Sequence, residues 1–273
     1  MLETVLMGNL PQFSLENNLA LAKQQGLGLQ LSMEALHPLA AQLPRLKHFK
    51  QQAQAQQTAL AIANYAHYLN PASADAAIAY VAQQRYEEAL QMALLLEADS
   101  LVVNCPWQPT LRCNGRYSQW KESMLVFLDA LGQRYLTDST LMLFVRNEMD
   151  ETAQTLQDLV SEVNHPNIKA ALDMGHVNLY TGQHPTDWMK KLGGLLGSVV
   201  GHNNWGRYND HAALGEGTLE VDGVLTHAVL SPFKYQMVLE QTSLEALKSS
   251  QTLLEKYLKQ SPILPGGALH YLL

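Results

Sequence analysis

A single (β/α)8 barrel of the TIM type is the fold class this sequence predicts, and three observations predict it. Short apolar runs rich in β-branched residues alternate with longer stretches of helical period. There are eight such runs, most of them nearly continuous, as strands buried on both faces should be. The length, 273 residues, is the usual one for such a barrel.

The strand-like runs are residues 4–8, 28–32, 59–63, 100–104, 140–145, 168–173, 197–201 and 236–240. Helical signals lie between them. Residues 14–25 open on Ser14, continue through Leu15, Leu19, Leu21 and Ala22, and stop before Gly26. Residues 73–97 are long and alanine-rich, with Ser73 as N-cap and Tyr80, Tyr86, Leu90, Ala93 and Leu94 as the apolar stripe. Residues 120–135, 151–163 and 243–259 show similar stripes, and 186–196 a weaker one ending near Gly193 and Gly194. The Gln/Ala segment 51–57 fits the solvated end of an outer helix. Strand–helix alternation repeated eight times implies a parallel sheet with right-handed crossovers, closed on itself. With no Gly/Ser/Pro linker, residues 1–273 read as one domain, its tail 261–273 packing on the barrel or on a second copy of the chain.

Composition narrows the function classes. An apolar fraction of 47% and a charged fraction of 16% describe a globular chain with a large core. The net charge of −7 and the lack of basic runs argue against nucleic acid, whose phosphates reward a basic surface. Cys105 and Cys113 suggest reduced thiols, not a disulfide framework. No apolar stretch is long enough for a membrane span, and the first residues, with acidic Glu3, do not read as a signal peptide, so the cytoplasm is expected.

In a TIM barrel the active site lies beyond the C-terminal strand ends, so polar residues there are read first. Glu148 follows the fifth run by three residues, Asp173 ends the sixth, His202 follows the seventh, and Glu240 ends the eighth. Three carboxylates and an imidazole at successive strand ends make a mostly hard donor set suited to one divalent ion, Mn2+, Mg2+, Co2+ or Zn2+.

The segment Ala171-Leu-Asp-Met-Gly-His-Val177 resembles the Asp-x-x-His strand end of the xylose isomerase-like TIM barrels, the superfamily of sugar phosphate isomerases/epimerases and apurinic endonuclease family 2. His202 to Gly217, HNNWGRYNDHAALGEG, is similar to that family's stretch from a seventh-strand His to a Gly-Glu-Gly turn, and Val238-Leu-Glu240 to its final strand. The resemblance implies a metal-dependent isomerase or epimerase acting on a carbohydrate or polyol through an enediolate. Glu148 and Glu240 would be ligands and the acid/base pair, with Asp173 and His202 completing the metal site. His176 and Arg207 would meet substrate. Asn104, Trp107, His67 and His211 are further candidates for substrate contact at the mouth.

The pattern also departs from the family. Val200 stands where the endonucleases have a His, and Asn104 stands where they have a fourth-strand His. Asn209 replaces an Asp ahead of His211. The family's Glu follows its fifth strand at once, a place that Arg146 or Asn147 takes here. The losses at positions 200 and 104, with the acidic charge, speak against a three-zinc nuclease. They leave as rivals a dehydratase of inosose- or dehydroshikimate-like rings and a barrel without catalysis.

Overall fold

The computed structural model describes residues 2–66, 68–113 and 115–260. His67 and the tail 261–273 lie outside the described residues. Eight parallel strands close in sequence order: β1 Leu2–Met7, β2 Gly28–Ser32, β3 Leu60–Asn64, β4 Ser100–Asn104, β5 Met142–Arg146, β6 Ile168–Asp173, β7 Leu196–Gly201 and β8 Tyr235–Leu239. The seam is β8 on β1, with Leu6 opposite Val238 and Met7 opposite Leu239. Each predicted run overlaps a strand. One shift matters. β5 runs through Arg146, which pairs in register with Asn104 on one side and Ala171 on the other.

The barrel interior is small and mixed. Leu6, Ala61, Val200 and Val238 form one apolar group, and Val102, Phe144 and Ala171 another. Between opposite strands, Ser100 Oγ donates to Gln236 Oε1 at 2.9 Å, so this buried polar pair is satisfied. Gly28 has a steric reason to be glycine, because a Cβ there would come 2.0 Å from Leu6 Cδ2. The main core lies between sheet and helices, where Trp188, Phe49, Leu29, Leu31 and Leu36 are fully buried. Each such aliphatic or Phe side chain contributes about 1.5–3 kcal/mol.

The outer layer comprises α1 Leu15–Gln25, α2 Met33–Leu36, α3 Leu43–Ala55, α4 Ala76–Leu96, α5 Arg116–Leu131, α6 Gln154–Val163, α7 Met174–Tyr180, α8 Pro185–Leu192, α9 Asp222–Leu230 and α10 Leu244–Gln260. Ser14 caps α1 by accepting from Asn17 N, and Gly26 ends it in the left-handed region at φ 66°. α4 starts later than the serine signal suggests, because Asp75, not Ser73, accepts from Ala77 N and Ile78 N. α9 has no counterpart in the sequence reading, and of α3 only the Gln/Ala end was legible. Among the described residues no helix is long and apolar enough to cross a membrane.

Candidate active site at the barrel mouth

The C-terminal strand ends bring together residues far apart in the chain. β5 carries Arg146 into the mouth, where its side chain is buried to 3% exposure. Nε donates to Asn104 Oδ1 at 3.1 Å, and Nη1 donates to Asp173 Oδ2 at 3.1 Å and to Glu240 Oε2 at 3.5 Å. The guanidinium also lies over the Tyr65 ring, 3.6 Å from its centroid. Tyr65 is held in turn, its hydroxyl accepting from Gln30 Nε2 at 2.8 Å and its carbonyl from Asn104 Nδ2 at 3.2 Å. Arg146 is therefore fixed from β2, β3, β4, β6 and β8.

Asp173 is fully buried and committed at both oxygens. It is the N-cap of α7, with Oδ1 accepting from His176 N at 2.9 Å, and that oxygen lies 3.0 Å from His202 Nε2. Asn147 buttresses the same strand end, its Oδ1 accepting from Asp173 N and its Nδ2 donating to Asp173 O. Burial alone would raise the Asp173 pKa. His176, His202 and Arg146 outweigh it and hold the carboxyl well below its ordinary value. Burial likewise pulls His202 down, but the Asp173 carboxylate prevails and the imidazole ends raised.

His202 sits just past β7, fully buried, with neither ring nitrogen in an aligned hydrogen bond. Its ring stacks on His211 at 4.1 Å between centroids. The backbone of His211 is left-handed, at φ 50°, a conformation an L residue keeps only when its surroundings impose it. His211 Nδ1 is 3.0 Å from the Glu240 carbonyl, and His176 Nδ1 is 3.0 Å from the Asn147 carbonyl. Asn209 Nδ2 lies 3.0 Å from His211 Nε2 and 3.1 Å from His176 Nε2. Each Nδ1 thus donates to a carbonyl and each Nε2 accepts from Asn209, so both rings are neutral Nδ1–H tautomers. Burial lowers both, His176 to about 4.

Ligand atoms of His202, His211 and Glu240 all lie within 4.8 Å of one another, a grouping able to hold a metal ion. The buried, unaligned nitrogens of His202 fit such an ion, as do two imidazoles with a carboxylate. The four-ligand set expected from the sequence is gathered only in part. Asp173 is turned to Arg146, and Glu148, though buried, stands outside the grouping. Glu148 is seated by its backbone N–H, which donates to Asp150 Oδ2 at 3.0 Å. Asp150 is wholly buried, and burial pushes its pKa up to about 7.

Among the expected substrate contacts, His176 and His211 reach the mouth. Asn104 is tied to Arg146 and the Tyr65 carbonyl. Arg207 is exposed on the loop after β7. Trp107 is buried and lines a different hollow with Arg112, Tyr117 and Glu151, where Arg112 stacks on its ring and pairs with Glu151. The sequence reading gave no role to Tyr65, and noted Arg146 and Asn147 only as occupants of the place where the family has its fifth-strand Glu. Asn209 was noted only as a replacement.

The chain matches the xylose isomerase-like TIM barrel family over residues 21–257, and it belongs to that family. Its fold is similar to that of a D-tagatose 3-epimerase-like protein, with a TM-score of 0.78 and 18% identity over 93% of this chain and 97% of the other. An L-ribulose 3-epimerase matches with a TM-score of 0.75 and 15% identity over 96% of each chain. The IOLI protein, solved with a zinc atom bound, matches with a TM-score of 0.74 and 14% identity over 96% of this chain and all of the other. At these identities the likeness carries the fold.

Proposed function

We propose that the chain is a divalent-metal-dependent isomerase or epimerase that moves a proton on the carbon beside the carbonyl of a sugar or cyclic polyol. The observation that carries this reading is the buried, unaligned imidazole of His202 beside His211 and Glu240, at the barrel end where catalytic groups gather. The epimerase and epimerase-like neighbours, and the zinc atom bound in the IOLI neighbour, support it. His202, His211 and Glu240 would hold the ion, which would polarise the carbonyl and stabilise the negative charge left when the neighbouring carbon loses its proton.

The chain's own residues do the rest. Glu240 meets Arg146 only through a 3.5 Å contact and keeps some exposure, so it can take or return a proton at its carboxylate. Glu148, the second carboxylate of the mouth, is the partner for the other face of the carbon. Arg146 adds a fixed positive charge beside them.

The test is incubation in D2O with free ketoses and inososes, the protein being loaded with Zn2+, Co2+ or Mn2+, followed by proton NMR. Deuterium should appear at the carbon beside the carbonyl together with an epimer or isomer, and E240Q should lose about a hundredfold or more of the rate. Loss of water from the substrate would point to a dehydratase instead. No exchange with any loaded form would overturn the reading and leave a binding barrel.

A further inference from the structure

We infer that Arg146 withholds Asp173 from any bound metal, so that the divalent ion of this mouth is held by His202, His211 and Glu240 alone and is of the zinc class rather than the magnesium class. The inference rests on the proposed function only in assuming that the mouth takes a cation.

The argument begins with what each carboxylate has left to give. Asp173 spends Oδ2 on Arg146 Nη1 and Oδ1 on the α7 cap, with His202 Nε2 also 3.0 Å from Oδ1. A metal could bind Asp173 only by displacing one of these, leaving either a buried guanidinium or a helix end short of its partner. Glu240 differs, since its contact with Arg146 is long, its other oxygen has no such commitment among the described residues, and its side chain is 16% exposed against 0% for Asp173.

Arg146 cannot step aside. It ends a central strand, is pinned by Asn104, and is backed by the Tyr65 ring, itself bonded to Gln30 and Asn104. It is also permanently charged, so the mouth holds a cation in every state of the protein. Glu148, Asp173 and Glu240 carry three negative charges against that one positive charge when ionised. That excess of negative charge favours a cation in the mouth.

The donor types then select the ion. Two imidazoles and one carboxylate form a three-protein-ligand site of the kind zinc takes, His211 ligating through Nε2 once the amide of the exposed Asn209 turns away from it, with a coordination place left for substrate oxygen. Mg2+ prefers an oxygen shell in octahedral geometry, which this set does not supply.

Equilibrium dialysis and calorimetry with Zn2+ and Mg2+ on the purified full chain test the inference without any substrate. The native protein should bind one Zn2+, and Mg2+ in large excess should not displace it. H202A and H211A should weaken zinc about a hundredfold or more. D173N keeps a residue suited to capping α7 and should change zinc affinity by less than about fivefold. R146Q removes the competing charge and frees Asp173, so it should bind zinc about tenfold tighter or more. R146K, which keeps the charge, should stay near the native value, and thermal unfolding of each variant confirms that it is folded. Loss of zinc in D173N equal to that in H211A, or displacement of zinc by Mg2+, would overturn the inference. A native chain that binds no divalent ion would remove both the inference and the proposed function. Sugar turnover with a D173-dependent ion would remove the inference alone.

Discussion

Gly175 and His202 occupy touching space: a Cβ at position 175 would come 2.0 Å from His202 Cε1 and 2.4 Å from Nδ1. The first turn of α7 is therefore part of the wall that fixes the imidazole. G175A should push the ring out of place at a cost of about 1–3 kcal/mol in stability, typical of overpacking. Zinc affinity should fall with it while the circular dichroism spectrum is retained. Unchanged zinc binding in a folded G175A protein would show that the ring has another resting place.

Asn209 is the second lever. Its amide nitrogen serves the Nε2 of both His176 and His211, which requires both rings to accept there. In N209D a carboxylate replaces that donor, so one or both imidazoles must carry a proton on Nε2. The pKa of His211, lowered by burial in the native protein, should rise, and nitrogen NMR should show the Nδ1–H tautomer give way to the doubly protonated ring. Native-like tautomers and titration in N209D would refute the hydrogen-bond assignment.

Asp150 makes a prediction about pH and stability. Its folded pKa of about 7 lies above the ordinary carboxylate value, so between about pH 4 and 7 the folded state holds a proton that the unfolded state has lost. Stability from this group therefore falls as pH rises through that window, by up to about 1.4 kcal/mol per pH unit. His176, lowered to about 4, has the opposite slope between about pH 4 and 6.5, because there the unfolded chain binds the extra proton. Over about pH 4 to 6.5 the two slopes oppose each other. Urea unfolding of D150N across this range should expose a stability that rises with pH, and a D150N curve parallel to the native one would contradict the buried, protonated carboxyl.

The Tyr65 face can be tested by two substitutions. Y65F keeps the ring under Arg146 and loses only the Gln30 bond, so it should cost about 0.5–1.5 kcal/mol. Y65A also removes the stack and opens a cavity, and should cost about 3–5 kcal/mol. Similar losses in the two variants would mean that the stack contributes little.

The strands were legible because they are buried on both faces and therefore read as apolar runs. The exception at β5 is instructive, since an arginine looks like the end of a strand until its partners are known. Those partners lie 27 and 94 residues downstream, at Asp173 and Glu240, and no local pattern announces them. Position alone indicated that Asp173, His202 and Glu240 share one end of the barrel. How their donor atoms divide between Arg146 and a cation depends on side-chain directions that spacing does not encode. α9 escaped notice because its nine residues follow a long irregular segment and include Gly223. His211 was placed in the mouth by its sequence context, whereas its stacking on His202 follows from a left-handed turn that the sequence does not mark with glycine.

The seam between β1 and β8 gives the donor group a further use. Glu240 follows the strand that closes the barrel, so until β8 has docked between β7 and β1 the two imidazoles lack the Glu240 carboxylate that completes the donor group. Any partly assembled barrel that lacks its eighth strand should be blind to zinc. The arrival of metal affinity during refolding would then time the last event of assembly, and a chromophoric zinc competitor in a stopped-flow experiment could serve as its clock.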